Sequence, residues 1–324
     1  MSNLDVRPQE ATCGGRQDVS AEPVHELNAG RTVALGESTN VRRLLPNLGR
    51  RMIGAWCFVD HYGPDDIADE PGMQVPPHPH MGLQTVSWLH DGHVFHRDSV
   101  GSQQLIRPRE LGLMTSGAAI AHSEESPRDH DAILHGAQLW VALPERDRHV
   151  SPRFEHHPNV PVVTARGLTA TVILGEFDGA LSPGTTYSPL VGVDIALRSG
   201  TDTSLPLERD FEYAVLSMSG IVEVDGEDIG PGSLLYLGSG RKEVRVRANT
   251  DGGLMLLGGE PFGEKIIMWW NFIGRTHDEI AEARAQWNAD ERFGTVHGYD
   301  GERLLAPSLP AGPLIPRGAA GRKR

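Results

Sequence analysis

The stretch Pro76-Pro77-His78-Pro79-His80-Met81-Gly82, taken together with His122-Ser123-Glu124, decides how this sequence is interpreted. Side chains alternate between the two faces of a strand, so residues at i and i+2 point to the same side. Both histidines of the first motif can therefore reach one ion, and the second motif repeats the spacing with a histidine and a carboxylate. Antiparallel pairing of the two strands would gather three nitrogens and one oxygen around a point. The pattern predicts a metal site formed by His78, His80, His122 and Glu124.

The donor set narrows the choice of ion and leaves two kinds of chemistry open. Three imidazoles and one carboxylate suit iron, nickel, cobalt, copper, zinc or manganese, whereas calcium and magnesium prefer oxygen ligands. Four protein ligands on an ion that takes six leave room for water, dioxygen or a substrate. Glu124 has two roles to choose from, as a ligand and as the catalytic base that removes a substrate hydroxyl proton. Its negative charge would also favour iron(III), so a redox sensor is as compatible with these residues as an oxygenase.

Composition limits the remaining function classes. The chain has 324 residues, of which 39% are hydrophobic, and this length accommodates two compact domains. A formal net charge of −13 argues against direct nucleic-acid binding or an anionic membrane surface as partner. The chain contains no apolar run of membrane-spanning length, and residues 1–27 are polar without a signal-peptide pattern. We expect a cytoplasmic protein.

Short apolar runs separated by Gly and Pro predict an all-β protein built from barrels. Asp91-Gly92 is a hairpin turn, and the first barrel is expected to end with the strand 137–143. The second half repeats the alternation of strands and Gly-containing turns, which predicts a duplicated barrel. It contains no histidine between His157 and His277, so the second barrel is expected to lack the metal site. Thr276-His277-Asp278-Glu279 is a capping box, which predicts a short C-terminal helix packed across the barrels.

Other histidines have less specific interpretations. His90, His93 and His96 flank the hairpin and are interpreted as surface residues or supports of the ligands, and His61 as a core histidine. The expected organisation is a flexible extension at 1–30, an N-terminal barrel with the metal site at 31–150, a C-terminal barrel plus helix at 151–305, and a flexible basic tail at 306–324.

Several separate motifs, in the order that the family has them, together resemble the pirins of the cupin superfamily. They are residues 44–54, the corner Asp60-His61-Tyr62-Gly63-Pro64, residues 77–86, His96-Arg97-Asp98-Ser99, Met114-Thr115-Ser116-Gly117 leading to His122-Ser123-Glu124, and residues 258–264. The resemblance extends over about residues 31–288. It implies a bicupin, two tandem cupin barrels, with one mononuclear metal held in the first barrel by the four residues named above.

The resemblance also implies a function. The metal of the family is usually iron, and some members cleave the flavonol quercetin with dioxygen, while others are described as regulatory cofactors or partners of enzymes. We therefore expect an Fe(II)-dependent quercetin 2,3-dioxygenase-type enzyme acting on a flavonol-like aromatic substrate. The alternative is a redox-sensing iron protein that regulates a protein partner without significant turnover. Three positions depart from the family pattern: Gln84, where Glu is common, and Arg109 and Ala119, where Gly is common.

Overall fold

Alternating apolar residues and short turns place most of the chain in β-strands in this computed structural model. It describes residues 11–14, 23–35, 39–47 and 49–318. The predicted all-β bicupin architecture is confirmed: two barrels follow each other along the chain, and a single helix lies near the C-terminal end of the described residues.

The first barrel consists of a seven-stranded and a four-stranded sheet. With the segment before it, the strands are β1 (Ala11–Gly14), β2 (Glu26–Asn28), β3 (Arg31–Leu35), β4 (Thr39–Leu45), β5 (Trp56–Asp66), β6 (Gln74–His80), β7 (Leu83–Asp91), β8 (Val94–Asp98), β9 (Gln103–Ile106), β10 (Leu111–Thr115), β11 (Ile120–Glu125), β12 (Ile133–Ala142) and β13 (Arg153–His157). The larger sheet has the order β13-β10-β7-β12-β5-β4-β3, and the smaller has the order β6-β11-β8-β9. Both candidate metal-binding motifs lie in the smaller sheet, on adjacent strands.

The second barrel repeats this plan. Its strands are β14 (Val162–Ala165), β15 (Leu168–Phe177), β16 (Ala180–Leu181), β17 (Leu190–Leu197), β18 (Thr201–Pro206), β19 (Glu212–Ser219), β20 (Val222–Val224), β21 (Glu227–Ile229), β22 (Leu234–Gly238), β23 (Glu243–Ala248) and β24 (Gly252–Gly259). The eight-stranded sheet runs β14-β15-β17-β24-β19-β22-β2, with β16 on β15, and the four-stranded sheet runs β18-β23-β20-β21. Apolar side chains of both barrels meet in one core cluster. Within it the indole Nε1–H of Trp56 donates to the carbonyl oxygens of Val191 (3.2 Å) and Gly258 (3.1 Å), which joins the barrels.

The chain then returns to the first barrel. Strands β25 (Lys265–Trp269) and β26 (Phe272–Gly274) form a hairpin that pairs with β1, and helix α1 (His277–Asn288) follows. Thr276 caps the helix by accepting from the backbone N–H of Glu279, as the capping box predicted. The buried helix residues, Ile280, Ala283 and Trp287, share an apolar cluster with Met81 and Ala121 of the first barrel.

Segments at the expected domain boundaries are exchanged between the barrels. Strand β2, within the expected N-terminal extension, pairs with β22 of the second barrel, and β13, beyond residue 150, pairs with β10 of the first. At the other end Phe272 forms a bridge to Met81, whose carbonyl accepts the N–H of Ile273 at 3.0 Å. The barrels are therefore completed by strands distant in sequence.

The segment expected to be a flexible tail packs on the fold as far as the structure describes it, to residue 318. Ala306 and Leu314 are buried in the helix cluster. Just before it, the carbonyl of Leu304 accepts from the Trp287 indole at 2.7 Å, and its N–H donates to Pro77 O at 2.9 Å. Coil rich in Pro and Gly can bury isolated apolar side chains without regular structure.

Within the described ranges no helix is long and apolar enough to cross a bilayer.

Candidate metal centre

The two predicted ligand motifs lie on neighbouring antiparallel strands. His78 and His80 are on β6, and His122 and Glu124 are on β11. His122 pairs directly with His78, while an irregularity after His122 shifts Glu124 to pair with Val75. Such a bulge changes the direction in which the following side chain points. All four side chains are buried.

The imidazoles of the three histidines converge. The Nε2 atoms of His78 and His80 are 3.2 Å apart. The centroid of the His122 ring lies 4.3 Å from that of the His78 ring and 4.9 Å from that of the His80 ring. Ligand nitrogens about 2.1 Å from one ion are separated by roughly 3.0–3.4 Å. One nitrogen from each ring falls in a group whose members are all within 4.8 Å of one another. This spacing fits a single ion.

The proton positions on two of these rings follow from their partners. His78 Nδ1 is 2.8 Å from the carbonyl oxygen of Pro76, and His80 Nδ1 is 3.1 Å from that of Asn271. A carbonyl oxygen only accepts, so each Nδ1 carries the hydrogen and each Nε2 has a free lone pair. Two lone pairs facing each other at 3.2 Å repel, and a cation between them removes that repulsion. The arrangement therefore fits a metal ion held by the Nε2 atoms.

The electrostatics keep these rings neutral, which is the form that binds metals. Burial lowers the pKa of His78 to about 4. Burial and then the neighbouring His78 hold the pKa of His80 well below the ordinary value of 6.5. The pKa of His122 is lowered well below that value by burial first, and then by the other imidazoles.

Glu124 lies beside this group but is held by different partners. Its Oε1 accepts from the Ser87 hydroxyl at 2.9 Å and from Gln138 Nε2 at 3.5 Å. It belongs with His122 and His96 to a second group of candidate ligand atoms within 4.8 Å, so His122 is common to both groups. Ser87 on β7 and Gln138 on β12 are buried polar residues, and the sequence analysis singled out neither of them.

The other histidines separate into distinct environments. His96 is buried against the candidate site, and its ring stacks on Phe154 at 4.0 Å. His93 is partly exposed and pairs with Asp131 at 2.6 Å. His61, interpreted as a core residue, is indeed buried, and its Nε2 lies 3.1 Å from His135 Nε2.

The three departures from the family pattern lie in different surroundings. Gln84 is buried and donates to Thr115 Oγ1 and Thr185 O, at 2.9 and 3.0 Å. Arg109 has φ 65°, a left-handed conformation that favours Gly, and its guanidinium pairs with Asp194 at 3.2 Å. Ala119 is half-buried and packs on the helix cluster.

Comparison with known proteins agrees with this architecture. The family description Pirin matches residues 13–141, and Pirin C-terminal cupin domain matches residues 192–294. A Pseudomonas aeruginosa protein named "Putative quercetin 2,3-dioxygenase PA1205" is 44% identical over 96% of this chain and 98% of its own length. A pirin-like protein of Caulobacter vibrioides is 39% identical over 85% of this chain and 93% of its own.

A solved structure gives the same result. The crystal structure of a quercetin 2,3-dioxygenase from Acinetobacter baumannii superposes with a TM-score of 0.86 at 42% identity, over 89% of this chain and 96% of that one. Both domains match the family, relatives above 30% identity match over most of their length, and the fold is shared. The chain belongs to the pirin family.

Proposed function

We propose that this protein is an Fe(II)-dependent dioxygenase of the quercetin 2,3-dioxygenase type, which opens a ring of a flavonol-like aromatic. The observation that carries the proposal is the convergence of three neutral imidazoles beside a buried carboxylate. His78, His80 and His122 would hold the ion through Nε2, with Glu124 as the fourth ligand. The names borne by two long relatives above 40% identity support the flavonol substrate class.

The donor set supports a transition metal. Three nitrogens and one oxygen suit iron(II), while nickel, cobalt, copper, zinc and manganese remain alternatives with the same donors. When bound, iron(II) would supply the one-electron chemistry that lets an aromatic substrate react with dioxygen. We choose iron because it combines open coordination positions with that redox capacity.

Glu124 would be the catalytic base. A flavonol binds to a metal through a deprotonated hydroxyl, so a proton acceptor must lie beside the ion. The Ser87 hydroxyl donates to Oε1 of Glu124, and this bond orients the carboxylate. The buried surroundings exclude water, which strengthens the electrostatic contacts to a charged substrate.

The test is quercetin turnover by protein reconstituted anaerobically with iron(II) and then exposed to air. Oxygen uptake and loss of flavonol absorbance are followed, and the metal content of each sample is measured. We expect saturable turnover that is lost in His122→Ala and Glu124→Gln. His93→Ala is the control, because it removes an imidazole from the surface hairpin outside the site. A fully metallated protein without turnover would overturn the enzyme proposal and direct the search to a protein partner that distinguishes iron(II) from iron(III).

A further inference from the structure

We propose that Asp98 and His96 are positioning residues that fix the proton of His122 on Nδ1 and so present its Nε2 to the metal. The inference rests on the metal site proposed above. His96 and Asp98 are on β8, which pairs with β11 so that Asp98 lies opposite His122 and His96 lies opposite Glu124. The three side chains form a chain of contacts from a carboxylate to a candidate ligand.

The chain begins at a firmly oriented carboxylate. Oδ1 of Asp98 accepts the backbone N–H groups of Val100 and Ser102 at 3.0 and 2.9 Å. Oδ2 lies 3.1 Å from His96 Nε2. A carboxylate that receives backbone donors in this way is an acceptor, so the hydrogen between Asp98 and His96 belongs to Nε2 of the imidazole.

The contact between His96 and His122 then fixes the position of the hydrogen on His122, the candidate ligand. With the ring hydrogen of His96 on Nε2, facing Asp98, its Nδ1 has a free lone pair. That atom is 3.4 Å from Nδ1 of His122, a long contact in which His122 must be the donor. Stacking on Phe154, with 12° between the planes, holds the His96 ring in this orientation.

The consequence is seen at the other side of the His122 ring. With Nδ1 protonated, Nε2 has a free lone pair, and this buried atom has no hydrogen-bond partner among the described residues. His78 and His80 reach the same state through backbone carbonyls. Among the three histidines, only His122 reaches it through side chains, so substitution of one partner side chain can change its tautomer. Partners of this kind also raise the basicity of the ligand nitrogen.

Asp98→Asn reverses the direction of the hydrogen bonds from residue 98 through His96 to His122, with almost no change in side-chain shape. The Asn carbonyl can keep the bonds from Val100 and Ser102, which turns its NH2 group toward His96 Nε2. His96 then carries its hydrogen on Nδ1 and donates to His122 Nδ1. His122 is left with its hydrogen on Nε2, where it blocks the metal.

The experiment measures zinc(II) affinity of the full-length protein by chelator competition and the His122 tautomer of the metal-free protein by nitrogen NMR. For Asp98→Asn we expect zinc affinity to fall about 10- to 100-fold, with the His122 proton moved from Nδ1 to Nε2 and an unchanged melting temperature. Asp194→Asn is the matched control, because Asp194 is also a buried carboxylate on a histidine, 3.0 Å from His90 Nε2. It should leave zinc affinity and the His122 tautomer unchanged.

The outcomes separate this inference from the proposed function. A wild-type protein that binds no zinc overturns the metal site itself. A wild-type protein that binds zinc while Asp98→Asn binds it equally well overturns the positioning role. So does a variant that loses affinity and melting temperature together while His122 keeps its proton on Nδ1, because Asp98 would then act only through the fold.

Discussion

Nδ1 of His80 lies 3.1 Å from the backbone carbonyl oxygen of Asn271, although the two residues are 191 positions apart. Asn271 lies in the turn of the C-terminal hairpin, after the second barrel. A segment that follows the entire second barrel therefore orients a candidate ligand in the first. This gives the hairpin a role in the site in addition to covering the apolar cluster.

The hairpin contact predicts that metal affinity depends on residues outside the first barrel. Phe272→Ala removes a fully buried ring that packs edge-on against Trp270, in a residue whose backbone forms a β-bridge to Met81. We expect about 3–5 kcal/mol lower free energy of unfolding and roughly tenfold weaker zinc binding as the Asn271 carbonyl moves. Phe177→Ala, in the core of the second barrel, is the control and should lower stability alone. Equal zinc affinity in both variants would show that the hairpin does not orient His80.

Ser87 is predicted to matter through Glu124. Ser87→Ala removes the hydroxyl that donates to the buried carboxylate at 2.9 Å. We expect turnover of the iron-loaded protein to fall about tenfold, because the carboxylate loses its orientation. Ser182→Ala is a matched control, since its buried hydroxyl donates to Ile173 O at 2.7 Å in the second barrel. Unchanged kcat in Ser87→Ala would argue against Glu124 as an oriented base.

Acid should destabilise the protein through a histidine outside the candidate metal site. Burial, and then His135, lower the pKa of His61 from 6.5 to about 3. Below pH 6.5 the unfolded chain therefore binds more protons than the folded protein does. The free energy of unfolding falls as the pH decreases from 6.5 toward the folded-state pKa of about 3. His61→Gln should reduce this pH dependence of the metal-free protein by roughly 1 kcal/mol per pH unit. Urea unfolding of both proteins at pH 7.5 and pH 5 measures how the free energy of unfolding changes with pH. The same change in wild type and His61→Gln would contradict the prediction.

Arg109 is predicted to carry backbone strain. Its φ of 65° is costly for any residue with a Cβ atom, whereas glycine adopts it readily. Both Arg109→Gly and Arg109→Ala lose the ion pair with Asp194, so comparing them isolates the backbone effect. We expect the Gly variant to have a higher free energy of unfolding than the Ala variant by about 1 kcal/mol. Chemical denaturation measures this, and a more stable Ala variant would be inconsistent with the strain.

Much of the fold could be predicted because its signals are local. Turns such as Asp91-Gly92 and the capping box at Thr276 depend on neighbouring residues, and the structure has both. The strand alternation also predicted that the two His motifs share one face, and they lie on paired strands. His96 and Asp98 have the same i, i+2 spacing on β8, but spacing alone did not distinguish their buried position from a surface one.

The sequence by itself determined the family, the all-β architecture and the residues that converge in the first barrel, because periodicity of two and motif order are properties of the chain. Only the tertiary structure decided which atoms hold those residues. The carbonyl of Asn271 is a backbone group that every residue possesses, so no residue type marks it in advance. The paired strands exchanged between barrels and the docked residues up to 318 likewise depend on contacts between distant segments. Such contacts form only when the whole chain buries its apolar surface together.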